Sequence, residues 1–300
     1  EAGGRAGVGS AALLAIGAGG ARADDDIYFA VAVRGTGSAT LHAHVFKNPA
    51  AAANTGNTVL AVHGLTETSF TFGPLASAFF ADGTLKNRVK QIVAIDLVGH
   101  GESSTPTGLP NGAKFGDLTI DDNVSVLLQA IDILRNRGLE ARVIVGHSMG
   151  GLAIQSAQEV LLSQNSSLSA HGIKGAILIA PVPCLGSPYN SAPAGDLSSF
   201  ITTTDALGSV FELPPEVFPV AGGFTTFAGT VVPNAPTAAV VAANDYSGME
   251  PLTTLLQLGG QIPQLPRPNA RQGAFAPRNG TLLALYSFSQ DILTPATDLD

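Results

Sequence analysis

Val143-Ile144-Val145-Gly146-His147-Ser148-Met149-Gly150-Gly151 is the stretch on which the fold turns. Its opening residues are apolar and β-branched, as in a strand buried on both faces. From Met149 to Leu162 the apolar residues recur at helical spacing, so a G-x-S-x-G pattern stands between a strand and a helix. A serine in that position must occupy a tight turn that lifts its hydroxyl out of the sheet, a strained conformation. Gly146 and Gly150 remove the side chains that would collide with neighbouring backbone. The first amides of the following helix point to where negative charge would develop. Ser148 is therefore the candidate nucleophile.

Outward from this turn the chain alternates strands and helices. Ile27–Arg34 and Thr40–Lys47 are expected to form a hairpin around Gly35-Thr36-Gly37-Ser38. Thr58–His63, Val89–Leu97, Arg142–Gly146, Ile173–Ala180 and Leu282–Ser289 are expected as further strands, and Pro74 to Phe80 as a short helix. The spacing of Ile120, Val124, Leu127, Leu128, Ile131 and Leu134 predicts a helix from Thr119 to Gly138, opened by a Thr119/Asp122 capping box. Gly138 supplies its stop. Such alternation indicates an α/β fold, a mostly parallel sheet flanked by helices.

Between Pro181 and Gly280 the rhythm fails. That segment holds 14 of the 19 prolines and no lysine. Residues 183–280 are read as a cap inserted after the sixth strand and laid over the strand ends. The expected organisation is a signal-peptide remnant (1–23), a core (24–182), the cap (183–280) and a core continuation (281–300).

Two upstream stretches share the logic of the first. Leu60-Ala61-Val62-His63-Gly64-Leu65 ends a buried strand at His-Gly, and Ile92 to Ser104 ends the next at Asp96-x-x-Gly99-x-Gly101-x-Ser103. With Gly146–Gly150, in this order and spacing, the chain resembles the α/β-hydrolase superfamily over about 27–180 and again from 282. The resemblance implies that the backbone N–H groups of Leu65 and Met149 form an oxyanion hole. It also implies an acid after a late strand, where Asp291 stands; Asp298 and Asp300 are alternatives further along. His63 precedes the hole in this pattern and is expected to brace its loop.

The family order of nucleophile, acid and histidine then breaks. The six histidines lie at 42, 44, 63, 100, 147 and 171, all before Asp291. His42 and His44 are expected on the second strand, facing solvent or the first strand. The chain is therefore expected to be a fragment at both ends, with its catalytic histidine beyond Asp300. Without that imidazole Ser148 is a neutral alcohol and a poor nucleophile.

Composition narrows the function classes. Charged residues are 13% of the chain, against roughly 25% in an average domain, while 45% are hydrophobic, which excludes a disordered chain. The net charge of −8 and the lack of any Lys/Arg run argue against nucleic acid as a partner. Arg5, the uncharged stretch 6–21 and Ala21-Arg22-Ala23 resemble a signal peptide, which implies secretion. No stretch reaches membrane-spanning length, so stable membrane insertion is not expected. The single cysteine, Cys184, cannot form an internal disulfide, and no Cys/His cluster has metal-ligand spacing. Neither a metal nor a cofactor is expected.

The cap holds nine charged residues and Phe200, Phe211, Phe218, Phe224 and Phe227, which suits a small hydrophobic ester. The leading expectation is a serine esterase or lipase working through an acyl-enzyme. A perhydrolase or C–C bond hydrolase on the same fold is a second reading, and a non-catalytic binding protein of this fold is a third.

Overall fold

The computed structural model describes residues 25–51, 56–179, 181, 201–212, 223–225, 231–233, 249–258 and 280–286. Six strands come first: β1 (Asp25–Val33), β2 (Gly37–Lys47), β3 (Asn57–Val62), β4 (Val89–Ile95), β5 (Ala141–His147) and β6 (Gly175–Ile179). Short strands follow, β7 (Ile201–Thr204), β8 (Gly208–Glu212), β9 (Gly223–Thr225), β10 (Val231–Pro233) and β11 (Met249–Pro251), before β12 (Leu282–Tyr286). Among the described residues the α-helices are α1 (Gly73–Ala81), α2 (Ile120–Asn136), α3 (Met149–Ser163) and α4 (Leu252–Leu258).

The main sheet has the order β1-β2-β4-β3-β5-β6-β12. β2 runs antiparallel to both β1 and β4, and every other pairing is parallel. Period-two alternation divides its central strands between two cores. Leu60, Val62, Val93, Ile95 and Ile144 face the larger core with α2 and α3. Val59, Ala61, Ile92, Ala94 and Val145 face a smaller one with Phe72 and Ala76 at the start of α1. The α/β architecture expected from the sequence is the one observed.

Local chemistry sets the ends of these elements. Thr119 and Asp122 make the capping box, with Thr119 N–H donating to Asp122 Oδ2 at 2.8 Å and Asp122 N–H to Thr119 Oγ1 at 3.3 Å. The first hairpin is tighter than expected. Arg34 and Gly35 adopt positive φ, so the turn is Arg34–Thr36, and Gly37 and Ser38 already pair as strand. β6 starts two residues later than expected. A 3-10 turn at Leu168–His171 ends at left-handed Gly172 and takes the Ile173 N–H for the Leu168 carbonyl.

Parts of the 183–280 segment lie against the core. β11, β8 and β7 form a three-stranded antiparallel sheet, and Val210, Phe211 and Leu258 are buried. Gln257 Oε1 accepts the N–H of Ile120 at 2.7 Å, one of the donors a helix N-terminus leaves open. Thr254 Oγ1 donates to the Leu118 carbonyl at 2.8 Å. Gly116 donates to the Leu207 carbonyl at 2.7 Å, and a side chain at 116 would strike the Ser209 backbone.

Candidate active site

β5 delivers the chain to Ser148, and α3 begins immediately after it. Ser148 adopts φ 48°, ψ −118°, a region L-residues avoid, and remains partly exposed. Its N–H donates to the Ile179 carbonyl at 3.0 Å, which ties the turn to the end of β6. The flanking glycines are required by contact. A Cβ at Gly146 would lie 2.6 Å from Ile154 Cδ1 and 2.7 Å from the Gly150 carbonyl. One at Gly150 would run into the Val62 and His63 carbonyl oxygens, because α3 starts pressed against the end of β3.

The loop after β3 faces this turn. A Cβ at Gly64 would stand 3.0 Å from Ser148 Cβ, so the His-Gly segment passes directly beside the candidate nucleophile. The N–H groups of Leu65 and Met149 have no acceptor among the described residues. Thr66, next along, holds φ 57°, a second strained position.

Buried ionisable groups brace the loop. His63 Nδ1–H donates to the Gly64 carbonyl at 2.8 Å, and its Nε2 accepts the Leu97 N–H at 2.9 Å, linking the ends of β3 and β4. Burial, aided by nearby His100, pushes its pKa down to about 4, so the ring is neutral. Glu67 Oε2 accepts the Gly64 N–H at 2.7 Å and lies 2.9 Å from His147 Nδ1. Burial opposes its ionisation, but the His147 charge, the His147 hydrogen bond and the Gly64 N–H together hold its carboxyl below the usual range. Glu67 escaped the sequence reading; a glutamate three residues past Gly64 in an otherwise uncharged loop was the available signal.

The Asp96-to-Ser104 motif builds a second loop. Burial would raise the Asp96 pKa, yet His42, His63 and the N–H groups of Glu102 and Ser69 bring it down to about 2. Ser103 Oγ donates to the Asp96 carbonyl at 2.7 Å and accepts the His42 N–H at 2.8 Å. A side chain at Gly101 would strike the Asp96 carboxylate. From the 183–280 segment, Glu250 reaches into this region: its Oε2 lies 2.8 Å from His100 Nε2 and accepts the Thr66 N–H at 3.3 Å.

All six histidines are therefore engaged elsewhere. His42 meets Asp96 and Asp26, His44 meets Asp26, and His63 spans two backbone groups. His100, His147 and His171 meet Glu250, Glu67 and Asp132. Among the described residues no hydrogen bond joins Ser148 to any of them. The structure thus gathers Gly146, Met149, Gly150 and Gly64 around Ser148, with Leu65 next after Gly64. Asp291, with Asp298, Asp300, Cys184 and the leader, lies outside the described residues. β12 ends level with β5 across the ladder, His147 pairing with Ile179 and Ile179 with Tyr286. Tyr286 therefore lies at the same end of the sheet as His147, the residue before Ser148.

No curated protein matches the chain by sequence. Among solved structures it is similar to the monoacylglycerol lipase of Paleococcus ferrophilus, at 17% identity over 86% of this chain and 81% of that one, with a TM-score of 0.49. A membrane phospholipase A described as a bacterial virulence factor matches at 15% identity over 91% and 73%, also at 0.49. A hypothetical protein of Pseudomonas aeruginosa PAO1 matches at 22% identity over 55% of this chain and 47% of that one, with a TM-score of 0.37. The chain thus spans about half the length of that protein. The model of the alpha/beta hydrolase family matches residues 59–291, well over half of the sequence, and the chain belongs to that family.

Proposed function

We propose that this protein is a serine hydrolase that cleaves carboxylic esters of hydrophobic acids through an acyl-enzyme. The observation that carries the reading is the strained, partly exposed Ser148, beside Gly64 and followed by Met149, with the amides of Leu65 and Met149 lacking an acceptor among the described residues. Ser148 Oγ attacks the ester carbonyl carbon, and the two N–H groups stabilise the oxyanion, each worth about 3 kcal/mol in the transition state. A histidine takes the serine proton and returns it to the departing alcohol, and water then releases the acid from the acyl-enzyme. Asp291 orients that histidine. None of the six histidines at 42, 44, 63, 100, 147 and 171 hydrogen-bonds Ser148 among the described residues, so the base is proposed to be a histidine other than these. The 183–280 segment, whose Glu250 approaches the oxyanion loop, forms the acyl-binding cap.

p-Nitrophenyl ester hydrolysis tests this. The 300-residue chain is expected to turn over only traces, since loss of a triad member costs roughly 10⁴–10⁶ in kcat. A form that carries the base is expected to lose activity on Ser148→Ala and on Asp291→Asn. Robust turnover by the 300-residue chain would mean that one of its six histidines is the base. Full activity of Asp291→Asn would move the acid elsewhere.

A further inference from the structure

Away from Ser148, one side of the β1–β2 ribbon gathers ligating groups that the proposed reaction does not use. Asp26 and His44 are direct cross-strand partners, and His42 lies two residues from His44 on the same face of β2. Both rings converge on one carboxylate oxygen. His42 Nε2 lies 3.0 Å and His44 Nδ1 2.8 Å from Asp26 Oδ1, and one ligand atom from each residue lies within 4.8 Å of the other two.

The rings are held from behind. His42 is fully buried, and its Nδ1 lies 2.6 Å from Asp96 Oδ2. Asp96 also accepts the N–H groups of Ser69 and Glu102, at 2.5 and 3.0 Å, so it acts as an acceptor and takes the Nδ1–H of His42. An imidazole committed in this way turns its Nε2 lone pair toward Asp26 Oδ1. Two acceptors 3.0 Å apart need a cation between them, either a proton or a metal ion. A carboxylate behind a histidine is also the usual partner of a metal-ligating ring, fixing its tautomer and orientation. His44 is packed by Phe46 and Phe70, with ring centroids 4.5 and 4.8 Å away.

We propose that Asp26, His42 and His44 form a binding site for a divalent transition-metal ion of the zinc class, with Asp96 orienting His42. Two imidazoles and one carboxylate suit zinc, cobalt or nickel and not calcium or magnesium, which take oxygen ligands. In a tetrahedral site, metal–ligand bonds near 2.0–2.1 Å put ligand atoms about 3.3 Å apart. The two contacts to Asp26 Oδ1 therefore have to lengthen by only about half an ångström, while the two ring nitrogens, within 4.8 Å of each other, settle to a similar spacing. Asp26 can supply that movement, its side chain being 48% exposed, while the buried His42 stays in place. Water completes the coordination. The ion would clamp the first strand to the second, which is a structural role separate from Ser148. The H-x-H spacing alone did not reveal the cluster because its third member lies across the hairpin, 16 residues from His42.

The test uses the 300-residue chain, stripped with a chelator and titrated with zinc chloride by calorimetry and with cobalt chloride by visible absorption. One zinc per chain is expected, with an intense four-coordinate cobalt spectrum and a thermal midpoint that rises with zinc. Asp26→Asn and His44→Ala should each weaken binding at least tenfold and abolish the zinc-dependent rise. His171→Ala, which removes the separate pair with Asp132, should bind as the wild type does. Because Asp26 is half exposed, Asp26→Asn keeps the fold, checked by circular dichroism without metal. No zinc binding by the wild type, or unchanged affinity in Asp26→Asn and His44→Ala, overturns the proposal and leaves a proton as the bridging cation.

Discussion

At the scale of the residue, the site's strain is itself a measurable quantity. Ser148 sits at φ 48°, ψ −118°, where a Cβ is costly and glycine is at ease. The expected outcome is that Ser148→Gly is more stable than Ser148→Ala by about 1 kcal/mol, compared by urea unfolding. At an ordinary backbone position the order reverses, since glycine loses more entropy on folding. An alanine variant at least as stable as the glycine variant would show that the turn at Ser148 carries no strain. This feature was legible in the sequence because the motif requires it: Gly146 and Gly150 are glycines where neighbouring atoms leave no room for a Cβ. Glu67, His100 and Glu250 were not legible, because their importance comes from burial and from partners up to 150 residues away.

At the scale of the element, periodicity carried most of the reading. α2 was plain in the sequence because a 3.6-residue apolar stripe, an N-terminal box and a glycine stop agree. β6 and the first hairpin were misjudged by a few residues, because their limits depend on single positive-φ positions at Arg34 and Gly172. The small sheet of β7, β8 and β11 went unread; its short strands are recognisable only from their pairing and from the surface that covers them. Its hold on the core includes a buried ion pair. His100 and Glu250 are almost fully enclosed, and Glu250 Oε1 has no partner among the described residues. Burial opposes the charge on His100, but Glu250, the Val98 carbonyl and Asp96 raise its pKa above the ordinary value, with His63 the nearby opposing ring. The coupling therefore stands below about pH 6.5 and is lost as pH rises through the raised value. A double-mutant cycle of His100→Gln and Glu250→Gln at pH 6 should give roughly 1–3 kcal/mol of coupling, shrinking at pH 9. A coupling of zero at both pH values would mean that apolar contacts alone hold this sheet to the core.

At the scale of the whole molecule, the carboxyl ends of the central strands converge on a buried polar layer, and the resistance to acid depends on it. His63 lies at its centre, fully buried between the loops after β3 and β4. Burial, then repulsion from His100, brings its pKa from 6.5 to about 4, against the favourable fields of Asp96 and Glu67. The unfolded chain therefore takes up a proton at this histidine near pH 6.5, while the folded chain resists until about pH 4. Stability from the neutral ring is complete above pH 6.5 and drains away as pH falls toward 4. Holding the ring neutral from pH 6.5 down to about 4 corresponds to about 3 kcal/mol. His63→Gln cannot titrate, keeps a donor and an acceptor on the side chain, and should be the less stable protein at pH 7. Between pH 6.5 and 4.5, however, urea unfolding should show the wild type losing more stability than the variant, by about 2–3 kcal/mol. Parallel curves would place the acid sensitivity elsewhere and require that His63 already carries a proton in the fold. Such a proton would convert Nε2 into a donor facing the Leu97 N–H, and the link between the loops of β3 and β4 would have to break.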